Sequence, residues 1–323
     1  MKLISIIIPI YNVDNYVRAC LESVFQQGLN ESDFEVILIN DGSKDNSMEV
    51  IAEIIEKHSN ISVIEQENQG LSVARNNGLI RAKGQYVLMI DSDDLLVKNS
   101  LPLLLSEAIE ANVDMVIADF VVMTDAQIQE STDITQGPIN MTEKTGEKLF
   151  LEDLNPHYCY VWHILFRRDF LLTNQLFFQP DIIYQDVPFT HECFLKAKSG
   201  IKSSIILNIY RKRIGSATYS FDINKAYDYC KSIAKTWQLT HIDGLSPKIK
   251  RKLREDIYTS FYSLMYSSVF AIKDNSASLE ILKYLYQLEP ELRFTNNLKQ
   301  KIITLLLKIS PRLYIYYLYA KSI

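Results

Sequence analysis

Long apolar runs are absent from this 323-residue chain. No segment approaches the roughly eighteen uninterrupted apolar residues that a bilayer crossing needs. The opening Met1-Lys2-Leu3-Ile4-Ser5-Ile6-Ile7-Ile8-Pro9 resembles a signal peptide only superficially: its apolar run is short, one Lys precedes it and no small-residue cleavage site follows. It reads better as a first buried strand. Glycine and proline are few, 10 and 9, and 47% of residues are hydrophobic against 23% charged. That balance belongs to an ordered globular protein with core enough for one or two domains. Cys20, Cys159, Cys193 and Cys230 show no metal-type or redox-type spacing, which fits a reducing, cytoplasmic setting. His58, His157, His163, His191 and His241 form no ligand pattern, so no structural zinc site is expected. Neither G-x-G-x-x-G after the first strand nor G-x-x-x-x-G-K-[ST] occurs. The usual sequence support for a nicotinamide dehydrogenase or a P-loop nucleotidase is therefore missing.

Net charge is −5 and unevenly divided. Leu245 to Ile323 holds 13 Lys/Arg against 6 Asp/Glu, leaving 21 against 33 in the first 244 residues. The acidic front argues against nucleic acid as a partner. The basic tail suits an anionic surface.

Strand-like runs at Ile4–Ile10, Phe34–Asn40, Ile61–Glu65, Gln85–Ile90 and Val113–Ala118 alternate with helical patterns around Asp14–Gln27, Asp45–His58, Gly70–Ala82 and Asn99–Ala111. This alternation predicts βαβ units and a parallel sheet with helices on both faces. Val122–Thr145 turns polar and aperiodic and reads as an extended connection. Further strands are expected at Val161–Phe166 and Ser203–Tyr210, and an all-helical region after Asp222.

Four of the first five strands end in residues that suit chemistry. Asp91-Ser92-Asp93-Asp94 follows the apolar Tyr86–Ile90. Alternation along an extended chain sends Asp91 and Asp93 to one side, and two hard oxygen donors suit Mg²⁺ or Mn²⁺ shared with a phosphate. The plainer alternative is an acidic turn in which Asp93 or Asp94 caps a helix suggested by Leu95 to Ala111. Strand one ends Pro9-Ile10-Tyr11-Asn12, strand two Asn40-Asp41-Gly42-Ser43, and strand three leads to Ala74-Arg75-Asn76-Asn77-Gly78. In a parallel sheet these ends share one edge. There Tyr11, Asp41 and Arg75 suit a nucleobase held by stacking and edge hydrogen bonds.

The order P-I-Y-N, N-D-G-S-K-D-N-S, N-Q-G-L-S-V-A-R-N-N-G, D-S-D-D resembles family 2 of the inverting, nucleotide-sugar-dependent glycosyltransferases with the GT-A fold, non-processive bacterial type. The resemblance covers about the first two hundred residues. It implies an α/β fold, Rossmann-like with a mostly parallel sheet, followed by a C-terminal helical region. The expected division is a catalytic domain at 1–220, donor half 1–120 and acceptor half 121–220, and a helical region at 221–323. It implies donor contacts from Pro9, Tyr11, Asp41 and Arg75, with uridine the commonest base. Asp91 would lie near ribose and metal, and Asp93 would bind the Mn²⁺ or Mg²⁺ that bridges the diphosphate.

More loosely, Val161-Trp162-His163 resembles the family's tryptophan segment, and Tyr184-Gln185-Asp186 its Glu-Asp segment, which carries the catalytic base onto Asp186. Gln185 stands where Glu is usual. Trp162 is either an acceptor platform or core. Tyr210–Ser216 resembles a segment that closes near the diphosphate, with Arg211, Arg213 or Ser216 neutralising the leaving nucleotide. The Q-x-x-R-W motif of processive members is absent. The implied activity is transfer of one sugar from a UDP-sugar to a saccharide or lipid-linked acceptor in cell-surface polysaccharide synthesis. Two alternatives stand beside it. One is an idle nucleotide-sugar-binding subunit. The other is a sugar-phosphate nucleotidyltransferase, although those usually carry a Gly-rich basic loop after strand one. In the tail, Lys301–Lys308 and Leu313–Tyr319 mix apolar, aromatic and cationic residues. They suit either peripheral contact with the inner membrane face or packing, including a homo-oligomer interface.

Overall fold

The computed structural model describes residues 2–213, 220–272, 274–294 and 298–320. They divide into two compact units: Met1–Leu149 with Tyr160–Pro180 and Cys193–Ile214, and Phe150–Cys159 with Asp181–Glu192 and Gly215–Ile323.

The first unit holds the nine-stranded sheet, in the order β3-β2-β1-β4-β8-β6-β9-β5 with β7 paired to β9. β1 (Ile4–Ile10), β2 (Phe34–Asn40), β3 (Ile61–Glu65) and β4 (Tyr86–Met89) are parallel. Three helices link them: α1 (Val17–Phe25), α2 (Ala52–Lys57) and α3 (Leu71–Arg81). β1 is buried along its whole length, as a strand covered on both faces should be. Gly78 lets α3 lie close on the sheet, since a Cβ there would sit 2.4 Å from the Ile7 side chain.

Beyond β4 the sheet is mixed. β5 (Leu95–Leu96) precedes α4 (Leu101–Ala111), β6 (Met115–Thr124), α5 (Asp125–Glu130), β7 (Met141–Thr145) and α6 (Gly146–Lys148). Then come β8 (Ile164–Arg167), α7 (Arg168–Thr173), α8 (Asp186–Lys196) and β9 (Ser199–Lys212). β8 runs antiparallel between β4 and β6, so β6 reaches the parallel strands only through it. Two expectations are corrected here. The polar stretch 122–145 is structured: Thr124 and Gln127 form a capping box at α5, and β7 pairs antiparallel with β9. Its residues are mostly exposed, so backbone hydrogen bonds rather than apolar alternation make it a strand. No helix starts at Leu95 either. Leu95 and Leu96 pair with Ile209 and Asn208, and α4 begins only after Ser100.

The second unit is helical, with the start of α8, α9 (Ile223–Gln238), α10 (Pro247–Ser267), α11 (Asn275–Leu288), α12 (Leu298–Ile309) and α13 (Pro311–Ala320). Asp222, Ser246 and Asp274 cap α9, α10 and α11 by accepting backbone hydrogen bonds. All four cysteines are free and buried. Among the described residues no helix is long and apolar enough to cross a membrane.

Candidate donor site and base helix

β1 is followed by β2 and β3 to one side and β4 to the other, which makes the β1–β4 boundary the switch point where open sheets bind ligands. Pairing with β4 stops at Ile7 and Met89. Pro9, paired only with β2, therefore removes no hydrogen bond that β4 needs. Tyr11, just beyond the strand, is 48% exposed and presents its ring. Asn12 takes a left-handed φ of 52° and accepts from the Lys44 amide at 2.8 Å. The Val13 amide donates to the Ser47 hydroxyl at 2.8 Å. The loops after β1 and β2 are thus tied together.

Asp41 is buried under the loop after β3. Its carboxylate accepts from Gln66 Nε2 (2.7 Å), the Gln69 amide (2.8 Å) and the Gly70 amide (2.9 Å). Gly42 is required beside it: φ is 73°, and a Cβ would meet the Asn68 amide at 2.9 Å. Arg75, on α3, is fully buried and donates to Asp91 Oδ1 at 2.6 Å. Its guanidinium lies 5.2 Å from the Phe178 ring centroid. Asn76 holds that phenylalanine by two 2.9 Å hydrogen bonds with its backbone.

The aspartates form a turn rather than a strand end, because the Asp94 amide donates to the Asp91 carbonyl at 3.1 Å. Asp91 and Asp93 each take an arginine side chain, and Asp94 takes a backbone amide. Arg213 Nε donates to Asp93 Oδ2 at 2.8 Å. The Arg211 amide donates to Asp94 Oδ1 at 2.8 Å, its Nε to the Asp93 carbonyl at 2.7 Å, and its Nη1 to Asp125 at 2.7 Å. Both guanidinium groups sit over the Tyr16 ring, at 5.1 and 4.6 Å. Burial, followed by the charges of Asp93 and Asp91, pushes Asp94 well above the usual carboxylate range. Burial and Asp91 raise Asp93, against the pull of Arg213. Asp94 therefore anchors β9 and caps no helix.

Among the described residues no three His, Cys, Asp or Glu side chains cluster as a metal cage. A Mg²⁺-type ion needs only one or two carboxylates, the remainder coming from phosphate and water. Asp91 and Asp93 keep side-chain exposures of 29% and 21%. With one oxygen of each paired to arginine, the donor set fits such an ion. Ser216 lies outside the described residues.

Asp186 belongs to the second unit and is the first residue of α8, where the helix dipole favours a carboxylate. Gln185 beside it is 2% exposed. Tyr184 stacks on Tyr229 at 4.4 Å, and its carbonyl accepts from Ser232 at 2.9 Å. One turn into the helix, His191 Nδ1 lies 2.7 Å from the Val187 carbonyl and Nε2 lies 3.4 Å from Asp256 Oδ2 on α10. Two acceptors on one ring call for the imidazolium. Burial alone would lower the His191 pKa, but Cys159 and Asp256 outweigh it and raise it to about 10. Lys252 donates to both Asp256 oxygens at 2.7 Å and to the Leu154 carbonyl at 3.1 Å. The sequence reading missed this clamp, as it missed Phe178 and Tyr16. The i, i+4 spacing of Lys252 and Asp256 was its one visible trace.

Trp162 is 1% exposed. It packs against Tyr160 (4.9 Å) and Tyr210 (5.5 Å), which also pack against each other at 5.8 Å, with Phe120 edge-on at 4.8 Å. It is core, not an open acceptor platform. A surface concavity of about 830 Å³ lined by Lys2, Glu31, Asn60 and Arg81 lies at the amino-terminal ends of the strands. It is on the wrong side of the sheet for these groups.

The sequence model of Glycosyl transferase family 2 matches residues 5–172, and the chain belongs to that family. It is 33% identical over 220 residues to the uncharacterized glycosyltransferase EpsJ of Bacillus subtilis, covering 68% of this chain and 63% of that protein. It is 26% identical over 285 residues to the cholesterol galactosyltransferase of Borreliella burgdorferi, covering 84% and 77%. The match to GlyA of Streptococcus pneumoniae spans only 16% of that protein. Among solved structures, S. aureus TarS 1–349 in complex with UDP-GlcNAc superposes with a TM-score of 0.77 at 20% identity, covering 100% of this chain and 92% of TarS. That likeness establishes the GT-A fold.

Proposed function

We propose that this chain transfers a single sugar from a UDP-sugar to a hydroxyl of a saccharide or lipid-linked saccharide, with inversion, in the synthesis of a cell-surface polysaccharide. The observation that carries the reading is the convergence, at the switch point of the sheet, of exposed Tyr11, the Arg75–Asp91 pair and the Asp93–Arg213 pair. Tyr11 would stack on the base. Asp41, by holding the amides of Gln69 and Gly70, would shape the pocket beside it, and Arg75 would fix Asp91 in orientation. Asp91 and Asp93 would hold Mn²⁺ or Mg²⁺, which supplies Lewis-acid stabilisation of the leaving diphosphate. Arg211 and Arg213 would add positive charge there. Asp186 would take the proton of the acceptor hydroxyl as general base, and attack from the face opposite the leaving group gives inversion.

The names of relatives support the substrate classes. One matching protein is a poly(ribitol-phosphate) beta-glucosyltransferase of Bacillus spizizenii, 28% identical over 198 residues. A mannosyltransferase from Pyrobaculum calidifontis in complex with GDP-Man and Mn²⁺ shares the fold with a TM-score of 0.55 at 14% identity. The feature that favours the idle-binder alternative is Gln185, which stands where the family has Glu. Its near-complete burial keeps that amide packed inside rather than presented to solvent. Calorimetry of UDP with and without Mn²⁺, followed by NMR of the product's anomeric coupling, tests the reading. Metal-independent UDP binding would remove the metal role, and a retained configuration would remove the inverting mechanism.

A further inference from the structure

Helix α12 carries two apolar faces. Gln300, Ile303, Thr304 and Leu307 are buried, between 1% and 8% exposed, and fasten the helix to the second unit. Thr304 Oγ1 donates to the Phe294 carbonyl at 2.8 Å. Leu298, Ile302 and Leu305 lie on the opposite side and are 74%, 47% and 56% exposed. Their spacing of four and three residues aligns them in one stripe. A globular helix with one side in the core ordinarily turns polar residues outward, and this one does not. Leu313, early in α13, adds another exposed apolar side chain at 47%.

The charges beside the stripe have one sign. From Leu292 to Ile323 the chain has 6 Lys/Arg and no Asp or Glu. Lys299 and Lys301 are exposed at the stripe's borders, the former standing over the Tyr258 and Tyr262 rings at 6.0 and 5.3 Å. A second copy seated on the same patch would set these cations against their equivalents, as a two-fold contact must. An anionic lipid surface would instead be complementary in both respects. The helix has 12 residues, too short to span a bilayer but sufficient to lie in its interface. Tyr314, expected to serve there, does not: it is fully buried and stacked on Phe261 at 5.8 Å.

We infer that the outer face of α12 docks the protein on an anionic membrane, with Leu298, Ile302 and Leu305 entering the headgroup boundary and Lys299, Lys301 and Arg312 meeting lipid phosphates. The inference is independent of the sugar-transfer reading, since it needs neither donor nor acceptor. The test is co-sedimentation of the full chain with phosphatidylcholine vesicles, with and without phosphatidylglycerol. Binding is expected only to the mixed vesicles, weakening as salt rises. Ile302→Glu/Leu305→Glu should lower it roughly tenfold or more, while melting temperature and UDP affinity stay unchanged because both side chains face solvent. Lys301→Glu/Arg312→Glu should remove the salt-sensitive part. Three results overturn the inference: no binding to mixed vesicles, equal binding by the Ile302/Leu305 variant, or a lipid-free dimer in sedimentation velocity that this variant splits.

Discussion

Two charged clusters built from similar residues behave differently. At the donor edge of the first unit, Asp91 and Asp93 each take one arginine and keep a quarter or so of their side-chain surface open. In the second unit, Asp256 takes Lys252 and His191 together, and the Asp256 and His191 side chains are 4% and 1% exposed. The first cluster holds like charges close together, which raises Asp93 and Asp94, and leaves oxygens for something else to bind. The second is closed and nearly saturated. An unfinished electrostatic arrangement marks a place for a ligand, and a finished one marks a clamp.

The largest effect that would sharpen this contrast lies on the reaction itself. Asp186→Asn is close to isosteric and should lower turnover by roughly two to four orders of magnitude, the range for a lost general base, with UDP affinity unchanged by calorimetry. Wild-type turnover would move the base elsewhere, to Asp181 or Glu192. At the donor edge, Asp93→Ala should abolish metal-dependent UDP binding while changing unfolding stability by less than ~1 kcal/mol, since its charge is already opposed by burial and Asp91.

Asp256→Ala should do the reverse. It strands buried His191 and part-buried Lys252, which costs about 3–5 kcal/mol in a urea titration. Loss of stability at Asp93 and none at Asp256 would invert the comparison.

Two buried histidines predict the pH dependence. His191 is raised to about 10, so its folded form keeps a proton that the unfolded chain releases. Its contribution is fully present below the unfolded value of 6.5, declines as pH rises and is gone above about 10. Burial, aided by Lys202, lowers His163 to about 3. Its contribution is present above 6.5 and is lost as pH falls towards that value. Melting temperature should therefore drop on both sides of neutrality, and His191→Gln should flatten the alkaline limb alone. The smallest effect belongs to Arg213→Ala. Freeing Asp93 of its counter-ion should tighten nucleotide-free Mn²⁺ binding only about two- to five-fold, read by calorimetry, and weaken UDP binding. Unchanged Mn²⁺ affinity would show that Arg213 does not compete for that carboxylate.

The parallel half of the fold was written in the sequence. β1 and β2 have the expected bounds, because buried parallel strands are continuous apolar runs that advertise themselves locally, and β3 has them too although it is a largely exposed edge strand. The strand ends followed from topology: once β1 to β4 are parallel, Tyr11, Asp41 and Asp91 share an edge. The residues proposed as metal pair, base and donor contacts were open to nomination because each sits at such an end or in an ordered motif. Three things needed the folded chain. β7 is polar and held by backbone pairing, which leaves no side-chain signature. The arginines that meet Asp93 come from the end of β9 and the residue after it, more than a hundred residues downstream, so the hydrogen bonds of Arg211 and Arg213 to Asp93 exist only in the folded chain. Which side of α12 meets the core, and which is left apolar and exposed, is invisible in a helix with leucine and isoleucine on both faces. Local pattern fixes what an element is; only packing decides which of its groups remain unspent.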